Sequence, residues 1–289
     1  MEQARGFFRK IINQIKKPEM RILPGQLAFF LVMSLIPMIA LIGTLAVSLS
    51  ISTGTIAVSL TSMMPKEISS ILNEMIKGNG LSFNMAIFFI SAFLLASNGT
   101  HSMIITSNEI YRIESKDFIS RRIKAIFMIF LLVLVFFFLL LIPVFGDNVF
   151  DALKESYETS KIVDITYVIY RVIKYPLIAL ILLFNIKLIY VIAPDEQIPS
   201  HSTTSGAIFT TIGWIIATEI YAFYVGTFAS YGIFYGSISN VLILLMWIYI
   251  LSYIFVLGMG INAGTYKEET IEMQRLLEEE IKEQKTSKK

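Results

Sequence analysis

Phe130–Pro143 reads FLLVLVFFFLLLIP, a run without a single polar side chain. A helix in a soluble protein keeps one face wet, so a segment apolar all round demands lipid or protein on every side. The run lies inside a longer apolar stretch, Ile123–Phe145, and five others resemble it: Leu27–Ser52, Met85–Ile105, Tyr167–Ile192, Gly206–Phe228 and Ile238–Ala263. Each has about 20 or more residues, enough at roughly 1.5 Å rise to cross some 30 Å of hydrocarbon. The expectation is an all-α, polytopic membrane protein with six transmembrane helices. Composition agrees: 55% of the 289 residues are hydrophobic and 16% charged. A soluble domain carries about 25% charged residues.

The positive charges set the orientation. Six precede span one (Arg5, Arg9, Lys10, Lys16, Lys17, Arg21), five lie between spans two and three (Arg112, Lys116, Arg121, Arg122, Lys124), and six follow span six (Lys267, Arg275, Lys282, Lys285, Lys288, Lys289). The opposite loops hold Lys66, Lys77, Lys154 and Lys161, so the tally is 17 against 4. Cytoplasmic loops concentrate lysine and arginine, which places both termini in the cytoplasm and requires an even number of spans. The first apolar run is too long for a cleavable signal and serves as the internal insertion signal. With no cysteine, disulfides and thiolate chemistry are excluded.

Three regions follow: a cytoplasmic amphipathic segment (1–24), a six-helix membrane domain (25–265) and a charged cytoplasmic tail (266–289). Phe7, Phe8, Ile11, Ile12 and Ile15 recur at helical spacing among basic residues, which fits either a short helix on the anionic leaflet or one packed on the bundle. Pro65–Lys77 reads as a second amphipathic helix, on the outer side. The tail is expected to be helical and to fray by Thr286. Gly232 and Gly236 suit a tight reversal between spans five and six.

Ionisable side chains inside spans are rare and mark function or a structural pair. Arg171 and Lys174 lie three apart on one face of span four, roughly 6–11 Å below its outer end, and Glu219 lies about 13 Å below the outer end of span five. Glu219 is expected to pair with Arg171 or Lys174, either as a static pair or in a wet cavity receiving an anionic group; the alternative is that the basic pair snorkels to the outer headgroups. A second polar run in span two includes Asn98, His101, Asn108 and Glu109, beside Gly99 and small serines that admit a close helix neighbour. Asn185, Asn240 and Asn262 read as interhelical hydrogen-bonders, and His201 as solvent-exposed. Pro37 and Pro176 interrupt spans one and four and are candidate hinges. No Walker loop, nucleophile elbow or metal-ligand spacing occurs. The chain is therefore read as no enzyme, with no metal, no cofactor and no nucleic-acid partner. The lipid bilayer is the partner it requires, and nothing in the sequence specifies an oligomeric state.

Ala28–Pro37 (AFFLVMSLIP), Asn108–Arg112 (NEIYR), Arg121–Ala125 (RRIKA), Tyr190, Pro194, Gly206-Ala207, Trp214, Tyr231–Ser237 (YGIFYGS), Leu245–Tyr249 (LMWIY) and Gly258 occur in an order that resembles the YihY/virulence factor BrkB family of inner-membrane proteins. The likeness covers roughly residues 5–265. Ser205 stands where a proline commonly precedes the Gly-Ala pair, so the entry into span five departs from the pattern. The resemblance implies six transmembrane helices in the plasma membrane. Members have carried a ribonuclease BN label that the residues here do not support. Others are linked to serum resistance, envelope-lipid traffic or export, which implies a transporter or translocator of an anionic, envelope-related lipid. A non-transporting membrane scaffold is the competing expectation.

Overall fold

The computed structural model describes residues 2–48, 83–133, 161–228 and 238–287. Among these residues the chain is wholly helical, with seven helices and no strand. They are α1 (Glu2–Ile15), α2 (Glu19–Ser48), α3 (Phe83–Tyr111), α4 (118–133), α5 (Lys161–Ile192), α6 (Thr204–Phe228) and α7 (Ile238–Ser287). Three segments are long and apolar enough to cross a membrane: Ile165–Ile192, Thr204–Tyr224 and Leu242–Glu279. They carry the fourth, fifth and sixth expected spans. The Pro65–Lys77 helix, the end of the FLLVLVFFFLLLIP run and the reversal at Gly232 and Gly236 lie outside the described residues.

Local chemistry explains the helix boundaries. Asp117 caps α4: its carboxylate accepts the Ser120 N–H at 2.9 Å and the Ser120 hydroxyl at 2.8 Å, satisfying one of the free N–H groups of the first turn. Those same bonds hold the Asp117 carboxyl below its usual range. α6 starts at Thr204 with Ser205 in its first turn, so a proline is not needed to open it. α7 is unbroken from the apolar span into the tail and helical through Ser287, beyond the fraying point expected at Thr286.

The chain divides into two compact units. The first comprises Met1–Ala28, Met103–Lys116 and Ile186–Lys289, and the second Phe29–Ser102 and Asp117–Asn185. In the second unit, the small residues of α3 permit close approach on two sides. A Cβ added at Gly99 would lie 2.7 Å from Ser34 Oγ and 3.3 Å from a Leu31 methyl on α2. On its other side Thr100 donates to the backbone oxygen of Ala125 in α4 at 2.8 Å. Ala96, Ser97 and Ala125 are fully buried there.

In the first unit α7 packs against both α6 and α1. The α6–α7 contact is a glycine crossing: a Cβ on Gly206 would fall on the backbone oxygen of Gly258, and one on Gly258 would fall on the hydroxyls of Thr210 and Tyr190. Only hydrogen atoms fit at these two positions, so the backbones touch as in other small-residue membrane crossings. The α1 contact inverts the expected amphipathic logic. Ile12 and Ile15 remain exposed, whereas the polar Gln14 is only 4% exposed and lies against Gly260. α1 thus packs on α7 while Ile12 and Ile15 remain outward.

Candidate functional site

A polar knot occupies the first unit where α3 and α5 end, α6 begins and α1 crosses α7. Asn108, 2% exposed, donates through Nδ2 to the Asp195 carboxylate at 2.7 Å and accepts the Asp195 backbone N–H on Oδ1 at 2.9 Å. The same amide reaches Ser115 Oγ at 3.2 Å, and the Lys116 N–H donates to Asp195 at 3.1 Å. One asparagine therefore clamps the loop after α3 to the turn after α5. Tyr190, fully buried, donates its hydroxyl to the Phe255 backbone oxygen at 2.7 Å and lies 2.7 Å from Thr210 Oγ1. Asn262 Oδ1 accepts the Gly206 N–H at 2.7 Å, and Trp214 Nε1 donates to the Leu251 oxygen at 2.9 Å. The bonds of Tyr190, Asn262 and Trp214 each tie two helices, and each relieves a group that would be costly to bury alone.

The end of α3 forms a Schellman cap: Ile113 N–H bonds Asn108 O at 2.9 Å and Arg112 N–H bonds Glu109 O at 3.3 Å. Glycine is usual at the position Arg112 occupies, because the backbone there is left-handed. Arg112 has φ 58°, the one positive φ among the described non-glycine residues. An L-residue in that region costs about 1 kcal/mol or more relative to glycine. Arg112 has company: Tyr111 packs edge-on to Tyr266 with ring centroids 6.2 Å apart, which brings Arg112 and Lys267 into one neighbourhood. Burial pushes the Tyr111 phenol well above its usual range, with Tyr266 adding to the effect. Its hydroxyl has no hydrogen-bond partner among the described residues. Lys17 is held below the ordinary lysine range by desolvation, and Arg112 and Lys267 act against Glu19 in setting its charge.

Each residue expected to form a site has a defined place in the described helices. Asn98 Oδ1 accepts Arg122 Nη1 at 2.8 Å, while Arg122 Nη2 reaches the Leu94 oxygen at 2.7 Å, and His101 packs edge-on to Phe118 at 5.9 Å. Asn108 joins the knot and Glu109 is exposed beside it. Arg171 and Lys174 lie in α5, within the second unit, where Lys174 Nζ is 5.6 Å from the Tyr170 ring centroid. Glu219 lies in α6, within the first unit, and its side chain is exposed. Pro176 is interior to α5, and Pro37 is a buried residue of α2. Asn262 is an interhelical bonder, as expected. His201 is exposed and 3.4 Å from Glu269, a residue that also accepts the Ser202 hydroxyl. Among the described residues no three histidine, aspartate or glutamate side chains gather as a metal site. Asp195, Gln14 and the Lys17, Arg112 and Lys267 group escape sequence reading, since their partners lie far apart in the chain.

The pattern that defines the family described as virulence factor BrkB matches residues 11–280. The chain belongs to the virulence factor BrkB family. Among its BrkB-family relatives, a ribonuclease-like protein, YfkH, of Bacillus subtilis strain 168 is 29% identical over 274 residues, covering 92% of this chain and 97% of the relative. The UPF0761 membrane protein PSHAa0171 of Pseudoalteromonas translucida is 22% identical over 276 residues, covering 91% and 87%. A UPF0761 membrane protein of Alteromonas mediterranea is 36% identical over a shorter 75 residues, 26% of this chain and 25% of the relative. No solved structure matches the chain. The match at full length supports a multi-helix membrane protein of this family.

Proposed function

We propose that this BrkB-family protein is a non-enzymatic translocator in the plasma membrane, six-spanning with both termini cytoplasmic, that moves an anionic, envelope-related lipid or a substrate of similar chemistry. The observation that carries the reading is the presence of ionisable residues within helices of spanning length. Arg171 and Lys174 fall in Ile165–Ile192, and Glu219 falls in Thr204–Tyr224. Each such charge at the middle of a bilayer costs roughly 2.5–3.5 kcal/mol on insertion scales. A chain retains them where they meet water, each other or a charged ligand. Glu219 is exposed among exposed Ile215, Ile216 and Ile220, a surface that hydrocarbon alone would not tolerate.

In this reading Arg171 and Lys174 receive the anionic group and Glu219 counterbalances them as it leaves. Pro176 and Pro37 let α5 and α2 bend, because an interior proline removes a backbone hydrogen bond. A second reading, a non-transporting scaffold, draws support from the hydrogen-bonded knot of the first unit, which favours one fixed arrangement of helices. Reconstitution into liposomes with a fluorescent anionic phospholipid separates the two. Translocation above protein-free liposomes, lost on Arg171→Ala, supports transport; wild-type protein indistinguishable from protein-free liposomes rejects it.

A further inference from the structure

We propose that Lys17, Arg112 and Lys267, converging from the α1–α2 turn, the end of α3 and the polar part of α7, form a binding site for a phosphate-bearing anion. Three independent features place the site. First, the Tyr111–Tyr266 ring pair, at 6.2 Å, joins the residues that immediately precede Arg112 and Lys267. Lys17 interacts electrostatically with both cations. Glu19 is the one carboxylate among the groups that act on Lys17, so the cluster retains an excess of positive charge.

Second, the arginine at φ 58° sits at a helix end where glycine would be cheaper. The cap itself needs no side chain at that position. A guanidinium held there presents a planar fork that suits a phosphate better than any other cationic side chain does.

Third, residues adjoining the cations in the same turns carry donors without partners. The Tyr111 hydroxyl is buried and has no partner among the described residues. Gln14, 4% exposed, directs an Nε2 that also has none toward Gly260, two helical turns before Lys267 on the same face of α7. Gln14 and Lys17 are joined in one turn, with Lys17 N–H bonded to Gln14 O at 3.1 Å. A phosphate accepts several charge-assisted hydrogen bonds at once and would neutralise the cations.

The site lies where α7 passes from its apolar span into its charged tail, just beyond Ala263. A lipid headgroup or a soluble phosphate ester could each supply the anion at that level. Arg171, Lys174 and Glu219 are not part of it, so its test is separate from that of transport.

The test uses the full-length purified protein. Thermal melting is followed in detergent with added glycerol phosphate, and in nanodiscs of phosphatidylglycerol against phosphatidylcholine. The wild type is expected to melt several degrees higher with at least one phosphate source. A response to phosphatidylglycerol alone identifies a headgroup site, and a response to glycerol phosphate as well identifies a soluble-ligand site. Lys267→Gln should reduce apparent affinity at least tenfold. Arg112→Gly is the more discriminating variant: its melting without anion should equal or exceed that of the wild type, because glycine accepts the left-handed backbone, while the response to anion is lost. No response of the wild type to either source, or an undiminished response in both variants, would overturn the assignment.

Discussion

The α6–α7 seam and the charged stretch of α5 both place polar atoms inside spanning helices, yet they treat them in opposite ways. In the seam, Tyr190, Thr210, Trp214 and Asn262 Oδ1 each reach a partner on another helix between 2.7 and 2.9 Å. Gly206 and Gly258 bring the two backbones into contact. In α5, Arg171 and Lys174 sit among residues that are mostly exposed, with Val172, Ile173 and Tyr175 all more than half exposed. Polarity that is matched by fixed hydrogen bonds holds helices in register. Ionisable residues in a proline-interrupted segment are the ones the proposed translocation would use. Under the proposed function the seam is framework and the charged stretch is the working part.

Breaking the framework should give the largest effects. Gly258→Leu forces a side chain into the hydroxyls of Thr210 and Tyr190, and overpacking of this kind costs about 3 kcal/mol. The expected result is loss of monodisperse protein on size-exclusion chromatography. Asn108→Leu removes both bonds to Asp195 and leaves its carboxylate short of a donor, at a cost of about 2 kcal/mol; a clear drop in melting temperature in detergent checks it. Tyr190→Phe deletes only a hydroxyl bonded on two sides, and buried membrane hydrogen bonds are worth about 0.6–1.7 kcal/mol. It should lower the melting temperature less than Asn108→Leu does.

The smallest framework effect concerns the cap of α4. The Asp117 carboxyl is depressed by the bonds it accepts from Ser120. A depressed acid stabilises the fold above its unfolded pKa and loses that contribution as pH falls through the lower, folded value. Protection of the Ser120 amide, relative to a free amide at the same pH, should thus fall as pH drops through the lowered Asp117 value, whereas in Asp117→Ala it should be absent at neutral pH already.

Sequence reading reached the helical class and the later spans because long apolar runs declare themselves locally. The helical tail follows from the same local signals, whereas α6 starts at Thr204, two residues before the expected Gly206. The interhelical role of Asn262 was legible too, since a lone amide in a span has few other uses. The clamp was not. Asn108 and Asp195 are 87 residues apart, and periodicity says nothing about which loop a side chain will meet. Packing of α1 on the bundle is one of the two arrangements its sequence allows, but the face is not legible: its isoleucines mark an apolar stripe, whereas Gln14 is the residue that lies against Gly260. Arg112 looked like one more positive charge until its backbone conformation set it apart.

The contrast between framework and working part is tested most directly by measuring stability and translocation on the same samples of Glu219→Gln and Tyr190→Phe. Loss of the carboxylate charge should cut translocation of labelled anionic lipid at least tenfold while leaving the melting temperature within a degree or so of wild type. The tyrosine variant should do the reverse, melting earlier while the folded fraction still translocates. A Glu219→Gln protein that melts much earlier, or that translocates as well as wild type, would contradict the account.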